Sequence, residues 1–187
     1  MKSYYRIIIL LAIALALAGI CISYVNSEET AQPVIKMDSL SGVLDINKDR
    51  FVLMSGKAKQ QLAMIPPAAM DSLNFHPQKA DTLAVKGITN RGILVVHEAW
   101  LNGQYYSFRD STGKPTWKGT ATWSSNPKTC IGCKLCYNNC PADAITMVNV
   151  KGAFKAQIDQ TKCTGCNTCL VGNMAKFAGC PVKAITK

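Results

Sequence analysis

The residues best suited to chemistry in this chain are its cysteines, and eight of the nine lie after residue 125. They form two runs, each with three cysteines separated by two residues and a fourth that is followed by proline. The runs are Cys130, Cys133, Cys136 and Cys140, and then Cys163, Cys166, Cys169 and Cys180. Thiolates are the soft ligands that iron–sulfur clusters and zinc require. A tetrahedral zinc ion favours two pairs over a triplet, so the pattern predicts iron–sulfur ligation ahead of zinc or disulfides.

The two runs belong to an internal repeat, because the same residue types recur at the same places around the cysteines. Gly132 and Gly165 occupy equivalent positions, and Pro141 and Pro181 follow the fourth cysteines. One difference separates the halves: ten residues, 170–179, lie between the third and fourth cysteines of the second run, where the first run has three. Within this stretch, we expect a short inserted helix or loop at residues 172–177. A duplicated unit of this kind predicts a pseudo-two-fold pair.

On these two runs, residues 126–187 resemble the bacterial dicluster ferredoxins, which bind two [4Fe-4S] clusters. The resemblance covers about a third of the chain. It implies a ferredoxin-like fold for this segment and a function in electron transfer. It also implies crossed ligation, in which one cluster takes Cys130, Cys133, Cys136 and Cys180, and the other takes Cys163, Cys166, Cys169 and Cys140.

The sequence around the cysteines holds no motif for catalysis: no glycine-rich nucleotide loop, no nucleophile with its base, and no open-site metal motif. We therefore predict an electron carrier or relay subunit and not an enzyme. The alternative is a redox-sensing or ligand-binding module, in which the clusters are structural or regulatory.

The amino terminus contains an uncharged run of 19 residues, 7–25. About 20 apolar residues span a bilayer, so we predict a single transmembrane helix in an anchor at residues 1–26, with a cleaved signal peptide as the alternative. Lys2 and Arg6 precede the run. Because basic flanks stay on the cytoplasmic side, they place the soluble part on the outer side of a bacterial cytoplasmic membrane, which is the side that we favour. The cytoplasmic side is the alternative. Clusters are normally built in the cytoplasm, and export of a folded metalloprotein normally uses a twin-arginine signal, whereas Arg6 stands alone. The ninth cysteine, Cys21, lies in the run, and we expect it to pack there.

Residues 27–125 predict a small all-β domain, a barrel or a sandwich, ahead of the cluster domain at 126–187. Strands are predicted at 41–46, 51–54, 82–86, 93–101, 104–109 and 116–123, with a helix at 57–64. Asn102-Gly103 is the strongest hairpin signal among them. Short strands at regular spacing favour a barrel or sandwich. The predicted fold class is therefore α+β, with an amino-terminal transmembrane helix, a β domain and a ferredoxin-like domain.

The β domain is rich in aromatic residues, namely Trp100, Tyr105, Tyr106, Phe108, Trp117 and Trp123. Aromatics interleaved with basic residues can form a stacking surface for nucleic acid in an OB-like barrel. Alternating aromatics on strands are more often core residues and cross-strand pairs. We favour the core interpretation, because nucleic acid is a poor partner for a membrane-anchored protein. His76 and His97 are isolated, and we expect no metal role for them.

The chain is basic, with a formal net charge of +10. Residues 126–187 hold eight lysines against two aspartates, a net charge of +6. Such a surface predicts docking to an acidic redox protein or to anionic lipid headgroups. A solvated surface without a dedicated partner is the alternative.

Overall fold

Residues 36–47, 50–117 and 123–186 are described by the structure, which is a computed structural model. They belong to one compact unit that starts at Lys36. The segment 7–25, with its predicted transmembrane helix and Cys21, lies outside the described residues. Within the described ranges, no helix has the length and apolar character needed to cross a bilayer.

The amino-terminal part of the described chain is a closed β barrel. Its strands are β1 (Asp38–Asn47), β2 (Arg50–Ser55), β3 (Ala58–Ala63), β4 (Thr82–Asn90), β5 (Ile93–Leu101) and β6 (Gln104–Ser107). They are ordered β3-β2-β1-β4-β5-β6, and β3 also pairs in parallel with β5 through Leu62 and Leu94. That extra pairing closes the first five strands into a barrel of the OB type, with β6 appended to β5.

The predicted α+β fold class was wrong, because the regular secondary structure of the described residues is mostly strand. The helices are single turns: α1 (Pro67–Met70) with a 3-10 turn at Asp71–Leu73, α2 (Leu135–Asn139) and α3 (Thr168–Val171). None exceeds five residues. Isolated helices this short are unstable in water, so these turns depend on the packing around them.

The predicted helix at 57–64 was also wrong, because this segment contains strand β3. Gly56, with a φ of 57°, turns the chain tightly, so that Ser55 pairs with Ala58 and a hairpin forms. The predicted strand at 116–123 is absent at its described ends, since Thr116, Trp117 and Trp123 lie outside strands. The five other predicted strands are confirmed as β1, β2, β4, β5 and β6.

Alternating side chains fill the barrel with an apolar core, to which each of the five closing strands contributes buried residues: Leu44, Leu53, Leu62, Leu83 and Leu94. Phe75, after the 3-10 turn, belongs to this core and is fully buried. Its ring makes edge contacts with Tyr106 and Phe108, each at a centroid distance of 4.9 Å. Phe108, Trp117 and Trp123 are buried, so the core interpretation of these three aromatics is confirmed.

The carboxy-terminal part has the internal symmetry expected of a repeat. Strands β8 (Ile145–Val150) and β9 (Ala153–Ile158) form a hairpin, and β7 (Ser124–Ser125) pairs with β10 (Ile185–Thr186). The two halves share unusual backbone angles: Lys134 and Asn167, which are equivalent, have φ of 61° and 62°. The backbone therefore repeats around both cysteine runs.

The buried ring of Phe75 gives a test of the core. Phe75→Ala should lower the free energy of unfolding by about 3–5 kcal/mol, since it removes a fully buried ring and leaves a cavity. Val43→Ala, at a position that is 47% exposed, is the matched control and should change it by about 0.5 kcal/mol or less. Urea unfolding followed by tryptophan fluorescence, under anaerobic conditions, measures both; equal shifts would contradict the assignment.

Candidate iron–sulfur sites

Four cysteines line the first of two cavities in the carboxy-terminal part. They are Cys130, Cys133, Cys136 and Cys180, around a space of about 330 Å³ that includes its opening to solvent. The first three belong to the first cysteine run, and Cys136 also lies in α2. The fourth comes from the other end of the repeat, immediately before the turn that begins at Pro181.

The other four cysteines line the second cavity, of about 340 Å³: Cys140, Cys163, Cys166 and Cys169. None of the eight forms a disulfide. In the described part of the chain, no three potential ligands converge on a point that would hold a single metal ion. Each cavity thus offers four sulfurs around a void. The two sets are those that crossed ligation requires, and the ligation itself stays a prediction.

Backbone N–H groups point at the sulfurs in a repeated pattern. The amide of Ala144 donates to Cys140 Sγ at 3.3 Å, and the amide of Ala184 donates to Cys180 Sγ at the same distance. The amide of Ala156 in β9 donates to Cys130 Sγ at 3.4 Å. Hydrogen bonds of this kind stabilise negative charge on sulfur and tune a bound metal centre.

Burial keeps several of these thiols protonated in the absence of iron. It raises the pKa of Cys136 to about 11 and that of Cys163 to about 12, and it also raises the pKa of Cys140 and Cys169. Neighbouring cysteines add to these shifts through like-charge repulsion. Metal binding needs thiolates and so releases the protons, which means that rising pH favours cluster assembly.

The surroundings of the two cysteine triplets differ sharply. In the first triplet loop, residues 131–135, Ile131 is 63% exposed and Leu135 is 41% exposed. In the second triplet loop, residues 164–168, the equivalent Thr164 and Thr168 are 2% and 1% exposed. The repeat is therefore symmetric in its backbone and asymmetric in its exposure to solvent.

The barrel covers the second triplet loop and so causes this asymmetry. Cys166 packs against a small buried cluster of Ala63, Ile93 and Val95. Gln61 Nε2 in β3 donates to Thr168 Oγ1 at 3.2 Å, inside the buried interface. A polar pair that spans this interface, together with apolar contact at Cys166, fixes how the loop lies on the barrel.

Gly165 shows how close the two parts are. A Cβ atom placed on it would lie 3.0 Å from Pro66 Cα and from Pro67 Cδ, and 3.3 Å from Trp123 Nε1. Its φ of 65° also lies in the region that favours glycine. The sequence identified Gly165 from its place in the triplet. It did not predict the residues that Gly165 contacts, because they are distant in the chain.

The turn between β4 and β5 holds the chain where it leaves Cys140. Asn90 Nδ2 donates to the carbonyl oxygen of Pro141 at 2.8 Å. Arg91 pairs with Asp143 at 2.7 Å and also donates to the carbonyl of Cys140. The sequence did not predict that Asn90 and Arg91 hold the chain after Cys140. Polar residues are common in β-turns, and their presence does not indicate a contact with residues some 50 positions away.

The inserted residues 170–179 comprise the end of α3 and a folded loop after it. Asn173 Oδ1 accepts hydrogen bonds from the amides of Ala175 and Phe177, and its Nδ2 donates to Asn139 Oδ1 at 3.2 Å. The amide of Cys180 then donates to the carbonyl of Cys169 at 3.0 Å. The insertion therefore returns the chain to the cysteines and leaves Cys180 in the first cavity.

Comparison with known proteins gives one family and two relatives. A family model described as a 4Fe-4S dicluster domain matches residues 129–172. One component of an ion-translocating oxidoreductase complex from Methanosarcina acetivorans is 48% identical over 56 residues, which are 30% of this chain and 17% of the relative. Pyruvate synthase subunit PorD from Methanocaldococcus jannaschii is 38% identical over 81 residues, 43% of this chain and 79% of the relative. The chain thus spans less than a fifth of the first relative and most of the second.

The paired cavities and these matches define an iron–sulfur protein. The chain belongs to the 4Fe-4S dicluster ferredoxin family and carries two [4Fe-4S] clusters. The resemblance inferred from the cysteine runs is confirmed, and two sets of four thiols with amide donors to sulfur fit such clusters.

The close approach at Gly165 predicts a selective defect. Gly165→Ala should speed the loss of the second cluster several-fold, because a Cβ forces the loop away from Pro66 and Pro67. Gly152→Ala is the matched control: its φ of 83° imposes similar strain, but nothing lies within 4 Å of the added atom. Anaerobic incubation with a chelator, followed by visible absorbance and an iron assay, measures the loss. Equal rates in the two variants would show that the barrel contact does not support the cluster.

Proposed function

We propose that this chain is a single-electron relay that holds its two clusters through eight cysteines in crossed sets. The observation that carries the proposal is the composition of the two cavities, each lined by three cysteines of one run and one cysteine of the other. The relay is assigned to residues 126–187. The barrel before them is assigned a supporting role, since it packs on the second triplet loop.

Short connections between the two cavities support passage of an electron from one to the other. Cys136 and Cys140 line different cavities and are four positions apart at the end of α2, about 6 Å along a helix axis. Cys169 and Cys180 also line different cavities and share a hydrogen bond of 3.0 Å. Each cluster, when bound, accepts or gives one electron, and the chain's task is to fix the two centres close together.

The partners are proposed to be redox proteins, at least one of them acidic. Both relatives are named as subunits, one of an oxidoreductase complex and one of pyruvate synthase, which supports a protein partner. Residues 126–187 have a formal net charge of +6 from their side chains. The charge is about +2 once two oxidised clusters, each about −2 with its thiolates, are bound. This remaining positive charge supports an acidic partner, because opposite charge speeds encounter and fixes orientation. Association with a membrane-bound complex is supported by the name of the first relative, since ions are translocated across membranes.

Double substitutions test the crossed sets. Cys133→Ala with Cys180→Ala removes two ligands of one set, so the other cluster should remain and the protein should keep about four iron atoms. Cys133→Ala with Cys140→Ala removes one ligand from each set, so little iron should remain. If each run held its own cluster, the two results would be exchanged. Iron and sulfide assays after anaerobic purification of the full chain distinguish the outcomes.

The controls for this test are the unchanged protein and Cys21→Ala. Both should contain about eight iron and eight sulfide per chain and should bleach reversibly near 400 nm with dithionite. A colourless protein that contains zinc would overturn the relay altogether.

A further inference from the structure

We propose that an acidic redox protein docks on the exposed first triplet loop, and that the barrel blocks the equivalent approach at the second. The docking surface, called the first-loop face, consists of Ile131, Cys133, Lys134, Leu135 and Phe154. This inference rests on the proposed relay function. It adds where a partner binds and which of the two clusters exchanges electrons with it.

The members of the first-loop face lie together over the first cavity. Ile131, Cys133 and Lys134 all line that cavity, and Cys133 is the one exposed cysteine among the eight described. Lys134 Nζ lies 5.6 Å from the centroid of the Phe154 ring. A Cβ on Gly132 would lie 2.5 Å from the Phe154 carbonyl oxygen, so the loop lies directly against β9. A partner on this face would therefore reach the edge of the first cluster.

The face has an apolar centre that is open to solvent. Ile131, Phe154 and Leu135 are 63%, 53% and 41% exposed, and Tyr137 in α2 is also exposed. Large apolar side chains grouped on a surface mark a binding site more often than single ones do. Their place beside an exposed cysteine ligand fits a surface made for close approach to a metal centre.

Three lysines accompany this apolar centre: Lys134 within the loop, Lys128 two residues before Cys130, and Lys151 in the β8–β9 turn, three residues before Phe154. Lys128, Lys134 and Lys151 are exposed, and none of the ion pairs found among the described residues includes them. The two aspartates of this part are engaged elsewhere: Asp143 pairs with Arg91, and Asp159 lies 3.9 Å from Lys162. An apolar centre with a basic rim complements a partner with an acidic rim.

The second triplet loop cannot serve in the same way. Thr164, Asn167 and Thr168 stand where the first loop has Ile131, Lys134 and Leu135, and all three are buried. The barrel occupies the space that a partner would need, through Gln61 and the cluster of Ala63, Ile93 and Val95. The structure thus makes the two clusters unequal: one faces partners, and the other faces the barrel.

Charge reversal on the rim tests the proposal. Lys128→Glu with Lys151→Glu changes two exposed lysines that do not line the cavity. The reduced full-length protein, freed of dithionite, is mixed anaerobically with oxidised acidic flavodoxin as the probe. One electron passes to the flavin, and the second-order rate is followed by stopped flow. We expect the rate to fall at least about tenfold at low ionic strength and to approach the wild-type rate at high salt.

The matched control is Lys57→Glu with Lys59→Glu, an equal change in net charge on exposed residues of the β2–β3 hairpin. Its rate should stay within about twofold of the wild type if local charge, and not total charge, decides docking. Ile131→Ser, which leaves the charge unchanged, should slow the reaction at every salt concentration.

The outcomes separate docking from the relay itself. Equal rates in the rim and control variants overturn the docking face, and so does a wild-type protein that bleaches with dithionite but does not reduce flavodoxin. Iron content and reversible bleaching, measured on every variant, report on the relay independently. A rim variant that keeps its iron and its bleaching but loses rate supports the proposal.

Discussion

The contact between the barrel and the second triplet loop is the constraint on which the rest of the structure depends. Gly165 has no side chain, so Pro66, Pro67 and Trp123 can approach it closely, and Cys166 lies on an apolar part of the barrel wall. Hydrogen bonds from Asn90 and Arg91 hold the neighbouring turn. Because these contacts surround one cavity only, they turn a nearly symmetric repeat into a molecule with one covered side and one open side.

Within the repeat, each half is incomplete without the other. The turn after Cys140 and the turn after Cys180 orient their sulfurs through the same amide contact, but each sulfur points into the cavity of the opposite run. The antiparallel pair of β7 and β10 holds the two ends of this part together. Burial raises the pKa of Cys136 and Cys163, so these thiols ionise less readily. Much of the free energy that organises the thiolates therefore comes from metal binding.

The sequence was most informative where the chemistry is local. Cysteine spacing predicted the cluster family, and alternation with turn residues located five strands. The helix predicted at 57–64 failed, because β3 gains its pairing from β2 and from the distant β5, which a short window of residues does not reveal. The same limit explains why Asn90, Arg91 and the barrel wall were missed. Their partners lie about 40 to 110 residues away and become neighbours only in the folded protein.

The ten-residue insertion before Cys180 has a consequence for how the protein is made. Synthesis adds Cys169 well before Cys180, so the four cysteines of the second cavity are complete while the first still lacks one. At about 5–20 residues per second, the interval is on the order of a second. The barrel is synthesised earlier still and can receive the second triplet loop as it emerges. The cysteines of the covered cavity are thus complete first, and those of the exposed cavity only when Cys180 has been added.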